Sequence, residues 1–301
     1  MIVMVNERKF LTDSYICALK GTDAPSPGEG LDFASIFEMA EAQDVCSALY
    51  LAWKESEFVP DEIKQKLQSA YNDNKLLLER NEEEQRKLFA KFEEEKEEYL
   101  PLKESLLRRY YSDGSMRGKS ATDIMVSKGL KRKAREIVLG QGFVFKGSDS
   151  GADVYAKDGD SVVRVYNENE YDAVYTPSLL SKAKQIREIK KRKALNHSDF
   201  YVYLVSDFAR CLSAGAVSLR SLADVWVFLN RFGDKLDKKR IADSLAELKL
   251  TVCDKELKKA IYKLFYDGDA EGTALKLLDF IFATDLSKKE ERLQEILQKI
   301  Q

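Results

Sequence analysis

The spacing of apolar and polar positions between residues 99 and 140 predicts a compact series of elements. Residues 99–103 form a short apolar run, and residues 104–111 have the spacing of an amphipathic helix. A Ser-Asp-Gly-Ser turn follows, and residues 121–126 then alternate as in a strand. Residues 130–139 form a basic helix that ends at Gly-Gln-Gly. The predicted order is therefore strand, helix, strand, helix.

Further strands are predicted directly after this unit. Residues 142–146 and 152–156 read as strands and are separated by a Gly, Ser and Asp turn. Residues 158–160 read Asp-Gly-Asp, a strong hairpin signal, and lead into a strand at 161–166. The middle of the chain is thus predicted to contain a sheet.

Helical spacing dominates on both sides of this sheet region. Residues 32–98 are predicted to be helical after a loop rich in Pro, Gly and Ser, and the pattern is helical from residue 177 to the end. Residues 79–98 predict a long charged helix with a narrow apolar stripe, for which a coiled coil is the alternative. We predict an α+β fold with an N-terminal helical region at 1–98, an α/β core at 99–172 and a C-terminal helical region at 173–301.

The composition is that of a globular protein with nearly balanced charge. Of the 301 residues 44% are hydrophobic, and 49 basic against 51 acidic side chains leave a net charge of −2. Such a balance gives no global positive field of the kind that concentrates nucleic acid. The four cysteines are scattered, and no segment approaches the ~20 apolar residues that span a bilayer. We therefore expect a cytoplasmic protein without a membrane partner.

The single histidine limits the chemistry that this chain can perform. His197 precedes a predicted helix and is expected to be a surface turn residue. Any mechanism that needs two histidines is excluded, including most zinc hydrolase sites. The sequence also has no serine hydrolase elbow, Walker loop or Rossmann glycine motif.

The order of motifs in the sheet region is similar to that of a known family. Residues 102–104 read Leu-Lys-Glu, residues 106–113 combine a Leu-rich helix with a Tyr-Ser-Asp turn, and residues 117–126 read Arg-Gly-Lys-Ser-Ala-Thr-Asp-Ile-Met-Val. The chain resembles the uncharacterised nucleotidyltransferase family, whose members read Leu-Lys-Gly, a Leu-rich helix, Tyr-Pro-Asp and then Arg-x-Met-x-Asp-Ile-Asp-Leu-Leu-Val. The resemblance extends along nearly the whole chain. It implies a nucleotidyltransferase-like mixed sheet.

Nucleotidyl transfer requires particular residue types at particular positions. The nucleotide phosphate needs a close-approaching backbone, hence a Gly after the first strand, and two divalent ions need clustered carboxylates. Two Asp residues separated by one position on a strand point to the same face, and a third carboxylate comes from a neighbouring strand. These positions can be read directly from the family pattern.

The sequence departs from the family at each of these positions. Glu104 replaces the Gly, Ala121 replaces the first Asp, and Asp123 alone remains of the pair. On the later strand, the family's Glu-x-His falls on Arg164 and Tyr166. Two histidines that are common in the C-terminal helix of the family fall at Asp207 and Cys211.

Together these changes make the site less negative, because two carboxylates are lost and one guanidinium is gained. We predict a degenerate site in which Asp123 and Arg164 form an ion pair. In the alternative interpretation the register is shifted by two residues, and Ala121 and Arg164 are ordinary strand residues.

The resemblance assigns the remaining roles. Asp123 is the surviving catalytic residue and a weak metal ligand, and the residues expected near the nucleotide phosphates are Lys103, Ser105, Arg117 and Ser120. Arg220 and Asp224 are four apart on a predicted helix, so they either pair within it or line the cleft opposite Asp123.

Two functions follow from this sequence. In the first, the protein is a catalytically impaired nucleotidyltransferase-like protein that acts as a binding or regulatory module and needs no cofactor. In the alternative, it is an active enzyme that uses magnesium and a nucleoside triphosphate to move a nucleoside monophosphate to a hydroxyl acceptor. Metal-assisted transfer with a single carboxylate would be weak, and this favours the first function. The expected partner is a nucleotide or another protein.

Overall fold

A computed structural model describes residues 2–119, 121–149, 151–158, 161–167, 182–186, 189–283 and 286–300. Helices form both ends of the chain, and a sheet lies between them. The helices are α1 Ile2–Lys20, α2 Phe33–Ala42, α3 Cys46–Trp53, α4 Asp61–Glu94, α5 Lys103–Leu106, α6 Lys131–Gly140, α7 His197–Ser213, α8 Leu219–Phe232, α9 Lys238–Glu247, α10 Thr251–Tyr266, α11 Thr273–Ile281 and α12 Leu286–Ile300. The strands are β1 Leu100–Pro101, β2 Thr122–Val126, β3 Val144–Asp149, β4 Ala152–Lys157, β5 Ser161–Asn167, β6 Lys184–Ile186 and β7 Ile189–Ala194.

The central sheet is mixed and has five strands in the order β1-β2-β5-β4-β3. Strand β2 is parallel to β5, whereas the other neighbours are antiparallel. In the β2–β5 register, Asp123 lies beside Arg164. The predicted α+β fold with a mixed sheet and helical flanks is confirmed.

The two faces of the sheet pack against different apolar clusters. Ile124 and Val126 of β2 belong to a cluster with residues of α4 and α6. Met125, between them, belongs to a larger cluster formed mainly by the N-terminal and C-terminal helices. Because side chains alternate along a strand, Asp123 shares the face of Met125 and points toward the helical side. The position of the candidate site follows from this alternation.

Helix α4 is one continuous element of 34 residues. Its first turn carries Asp61 and Glu62, whose negative charges favour a helix N-terminus. Near its C-terminal end, Phe89 and Phe92 pack on Tyr99, with ring centroids 4.9 and 5.2 Å apart. The predicted helix at 79–98 corresponds to the second half of α4, which ends at Glu94, and its apolar stripe contacts the sheet region.

Two regions of secondary structure differ from the predictions. No individual helix was predicted before residue 32, although region 1–98 was predicted to be helical, and in α1 the buried Glu7 accepts a hydrogen bond from the backbone N–H of Asp32. The helical prediction from residue 177 onward was wrong for β6 and β7, which form an antiparallel pair. Backbone hydrogen bonds join Tyr99 to Lys191 and Lys193 of β7, and these bonds hold a basic segment in an extended form.

Two predicted elements are shorter than expected. The strand predicted at 99–103 is reduced to the two residues of β1. The helix predicted at 104–111 consists of α5 and a separate 3-10 turn, Leu107–Tyr110. The Tyr110 ring at the end of this turn packs edge-on against Phe232 at 5.0 Å, so the chain bends toward α8.

Within the described residues, no helix combines the length and the apolar character that are needed to cross a membrane.

The packing of α4 on the sheet region can be tested by truncating one ring. Phe92→Ala is expected to lower the free energy of unfolding by ~3–5 kcal/mol, because the ring is fully buried. Leu76→Ala is the matched control on the same helix, since Leu76 is 61% exposed, and it should change stability by less than ~0.5 kcal/mol. Urea unfolding followed by circular dichroism measures both variants; similar losses would contradict this packing.

Candidate functional site

A buried arginine lies at the centre of the residues that the sequence singled out. Arg117 ends the 3-10 turn Gly114–Arg117, which begins after Asp113, and the Asp113 carboxylate accepts a hydrogen bond from the Ser115 N–H. The Arg117 side chain has no exposed surface. Its two terminal nitrogens donate to the two carboxylate oxygens of Glu104, at 2.8 and 2.9 Å. Glu104 and Arg117 therefore form a bidentate pair inside the protein.

Asp224 of α8 occupies the other edge of the same guanidinium. Arg117 donates from Nε and from one terminal nitrogen to Asp224, at 2.7 and 2.8 Å. The Tyr111 hydroxyl donates to Asp224 Oδ1 at 2.8 Å. Burial alone would lower the pKa of Arg117, but Asp224 and Glu104 outweigh it and raise that pKa. Burial also opposes ionisation of Glu104, yet Arg117 holds the pKa of this carboxyl well below its usual range.

A second pair lies next to the first. Lys103 Nζ forms an ion pair with Asp207 of α7 and lies 3.9 Å from Glu104 Oε1. Arg210, one turn further along α7, donates to Asp207 at 2.6 Å. Burial would raise the pKa of Asp207, but the two neighbouring cations lower it. Lys103 is thus neutralised by a carboxylate that is 2% exposed.

Asp123 is held in place mainly through its backbone. Its N–H donates to Ser105 Oγ at 2.9 Å, and the Ser105 hydroxyl donates back to the Asp123 carbonyl at 2.8 Å. The Leu102 N–H also donates to this carbonyl at 2.9 Å. Ser105 therefore fixes α5 against β2.

The Asp123 carboxylate has one ionic neighbour and one oxygen without a hydrogen-bond partner. Arg164 NH1 lies 3.5 Å from Asp123 Oδ2, and Oδ1 is buried and unpartnered. Burial raises the pKa of Asp123 to about 7, although the Arg164 charge opposes this rise. The predicted Asp123–Arg164 ion pair is confirmed.

Arg164 is the more exposed member of the Asp123–Arg164 pair. Its side chain is 41% exposed, whereas that of Asp123 is 7% exposed. Tyr166, on the same face of β5, is buried, and burial raises the pKa of its hydroxyl. Ala121 precedes β2, is buried, and presents only a methyl group.

The intrahelical Arg220–Asp224 pair that the spacing allowed does not form. Arg220 donates to Asp44 at 2.6 Å and to the backbone carbonyls of Lys119 and Arg117, at 2.8 and 3.3 Å. Asp224 points instead to Arg117. The difference arises because both side chains have partners that lie more than 100 residues away in the sequence.

The expected phosphate contacts also need correction. Arg117 is fully buried and both edges of its guanidinium are occupied, so it cannot reach a nucleotide in this arrangement. The Ser105 hydroxyl is used by the β2 backbone. Lys103 keeps 17% of its side chain exposed, and Ser120 lies outside the described residues.

Charges at the site are balanced in number. Its carboxylates belong to Glu104, Asp123, Asp207 and Asp224, and its cations belong to Lys103, Arg117, Arg164 and Arg210. Among the residues that the structure describes, no group of three or more His, Cys, Asp or Glu side chains could hold a metal ion. The donor set around Asp123 does not fit a magnesium cage, because a guanidinium stands beside its single carboxylate.

Several residues of this network were not assigned from the sequence. Asp207 was noted only as a departure from a family histidine, although it neutralises Lys103. Tyr111 was used only as part of the Tyr-Ser-Asp turn of the resemblance, and Arg210 carried no signal beyond an ordinary helix position. Asp44 has a left-handed backbone conformation, with φ of 56°, which the sequence does not reveal.

Comparison with known proteins gives one match. A protein-family profile described as Uncharacterised nucleotidyltransferase matches residues 29–253. All residues of the charged network fall within this range. No curated protein and no solved structure matches the chain.

Removal of the central guanidinium should strongly destabilise the protein. Arg117→Ala leaves Glu104 and Asp224 buried without their cation, and we expect a loss of ~3–5 kcal/mol in the free energy of unfolding. Arg132→Ala is the control, because the Arg132 side chain is 92% exposed and its ion pair contributes less than ~1 kcal/mol. Denaturant unfolding compares the two variants; equal stability would show that Arg117 is not buried in this network.

The raised pKa of Asp123 predicts a pH dependence of stability. In the folded state this carboxyl binds a proton below about pH 7, whereas in the unfolded state it does so only below about pH 4. The folded state therefore binds more protons in this window, and the free energy of unfolding should fall as the pH rises from 4.5 to 7.

Asp123→Asn isolates this contribution. The variant should lose the slope between pH 4.5 and 7, while the carboxylates with lowered pKa, Glu104 and Asp207, still act below that window. Denaturation midpoints at several pH values provide the measurement. Parallel curves for the two proteins would assign the slope to other groups.

Proposed function

The chain belongs to the uncharacterised nucleotidyltransferase family, and we propose that it is a member with an impaired catalytic site that acts as a binding or regulatory module. The observation that carries this proposal is the ion pair between Asp123 and Arg164, whose register places a fixed cation beside the surviving carboxylate.

Metal binding is the first step that this arrangement opposes. Magnesium requires a nearly octahedral set of oxygen ligands at ~2.0–2.1 Å. Asp123 supplies one carboxylate, and Ala121 supplies no ligand. A guanidinium 3.5 Å from Asp123 Oδ2 also repels a dication. The site therefore lacks both the ligands and the negative field that such an ion needs.

Phosphate binding is opposed by the neighbouring pairs. The cations that a triphosphate would use are already engaged, Lys103 by Asp207 and Arg117 by Glu104 and Asp224. Glu104 stands where the family has Gly, and its buried carboxylate would repel a phosphate that came close to the backbone. Release of either cation would leave a carboxylate buried without a partner, which is costly.

A binding or regulatory role needs a fixed surface rather than a reactive centre. The network joins α5 to the turn at Gly114–Arg117, this turn to α8, and α5 to α7 through hydrogen bonds and ion pairs between charged side chains. A partner protein or a nucleotide would then meet a preformed shape at the cleft or on the adjoining helices, and preformed surfaces lose less entropy on binding.

One observation favours the alternative, an active metal-dependent nucleotidyltransferase. Asp123 Oδ1 is buried and has no hydrogen-bond partner. A magnesium ion would satisfy this oxygen if Arg164 moved away from the carboxylate. The acceptor in that case is a hydroxyl group.

Titration calorimetry with magnesium and ATP separates the two functions. The wild-type protein is expected to give no magnesium-dependent heat, because the metal lacks ligands and meets a cation. Ala121→Asp with Arg164→Glu restores two carboxylates, and this double variant should gain heat from magnesium binding, while each single change should not. Glu104 is left unchanged, since it neutralises Arg117.

The controls make this test decisive. Arg132→Glu introduces the same charge change as Arg164→Glu, but on an exposed side chain, and it should leave the heats unchanged. Thermal melts with and without magnesium should show stabilisation only in the double variant. Micromolar, magnesium-dependent ATP binding by the wild-type protein would reverse the proposal in favour of the active enzyme.

A further inference from the structure

A concave site lies along the second half of α4. We define the α4 groove as the cavity between the α4 face from Glu79 to Glu93 and the side chains of Tyr99, Arg109 and Arg192. Its volume is about 780 Å³, which is within the usual range of small-molecule sites. None of the residues that form the charged network lines this groove.

The groove contains arginines whose charges are not neutralised. Within the described part of the chain, no carboxylate lies within ion-pair distance of Arg86, Arg109 or Arg192. Burial lowers the pKa of Arg192, and the charge of Arg109 lowers it further, whereas Tyr99 opposes this fall. The charge of Glu93, which also lines the groove, raises the same pKa, so Arg192 lies among charges of both signs.

The glutamates around the groove are mostly engaged elsewhere. Glu83 pairs with Lys87 at 2.9 Å, and Glu82 lies 3.7 Å from Arg108. Glu93 accepts hydrogen bonds from the Lys191 N–H at 3.1 and 3.2 Å. Three of the four glutamates that line the groove thus have partners other than the arginines of the groove.

Buried hydrogen-bond donors at the same place lack acceptors. Gln85 is 2% exposed and its Nε2 has no partner, while its Oε1 accepts a long bond of 3.4 Å from Arg109. Arg192 Nε is also buried without a partner, and the guanidinium lies 5.6 Å from the centre of the Phe89 ring. Buried donors of this kind normally have an acceptor, so their presence points to a ligand that supplies oxygen atoms.

We propose that the α4 groove binds a small dianion, a phosphomonoester or a dicarboxylate, between Arg109 and Arg192. Each guanidinium presents a planar fork of N–H groups that matches two oxygens of a phosphate or carboxylate. The Gln85 amide lies beside Arg109 and donates to a further oxygen at the base of the groove. The remaining volume accommodates the organic part of the ligand against Phe89 and Tyr99.

Calorimetry with inorganic phosphate, phenyl phosphate and succinate at constant ionic strength tests this site in the full chain. At least one probe should bind with a Kd below about 1 mM, and Arg192→Gln should weaken that binding at least tenfold. Binding of the phosphates alone identifies a phosphomonoester site, and binding of succinate alone identifies a dicarboxylate site. The exposed Arg109→Gln gives the same test if Arg192→Gln does not fold.

Two further variants locate the bound probe. Arg132→Gln, on an exposed side chain, should leave the Kd unchanged. Arg164→Glu should also leave it unchanged, because Arg164 lies beside Asp123 and does not line the groove. No heat from any probe at about 10 mM, or binding that depends on Arg164 and not on Arg192 or Arg109, would overturn the proposal.

Discussion

The buried guanidinium of Arg117 is the constraint on which the candidate site depends. A charge without exposed surface is tolerated only when its hydrogen-bonding capacity is met, and Glu104 and Asp224 meet it from opposite edges. Ion pairs of this kind contribute little net stability, since desolvation offsets most of the attraction. Their effect is on geometry, because each partner holds a different element at a fixed distance and angle.

The remainder of the site follows from this arrangement. With Glu104 directed to Arg117, the neighbouring Lys103 turns to Asp207, and Ser105 is left to bind the β2 backbone. The parallel register of β2 and β5 then places Arg164 beside Asp123. Within this set each charged side chain has an oppositely charged neighbour.

Some of this structure could be predicted from the sequence because the signals are local. Residues 152–157 and 161–167 form strands with alternating side chains, and the sequence between them carries a hairpin signal. The correspondence of Asp123 and Arg164 to family positions follows once the family pattern is recognised. The network around Arg117 has no local signal. An arginine before a glycine is compatible with a phosphate site, and only the fold reveals that Asp224, on a helix much later in the chain, is its partner.

The errors in secondary structure have the same origin. Strand β7 has a basic sequence that resembles an exposed helix, and its extended form depends on backbone hydrogen bonds to Tyr99. Helix α1 contains Glu7, which would be unfavourable in a core without the Asp32 N–H. In both cases the local sequence favours two conformations about equally, and a long-range hydrogen bond stabilises one of them.

The separation of Arg117 from Asp224 also affects how the chain folds during synthesis. The partners are 107 residues apart, and at ~5–20 residues per second a ribosome needs roughly 5 to 20 seconds to make the intervening chain. During that interval Arg117 remains hydrated or paired with Glu104 alone, and the surface that α8 later covers is open. Because α8 follows all five strands of the central sheet in the sequence, Arg117 can be fully enclosed only after α8 has been made.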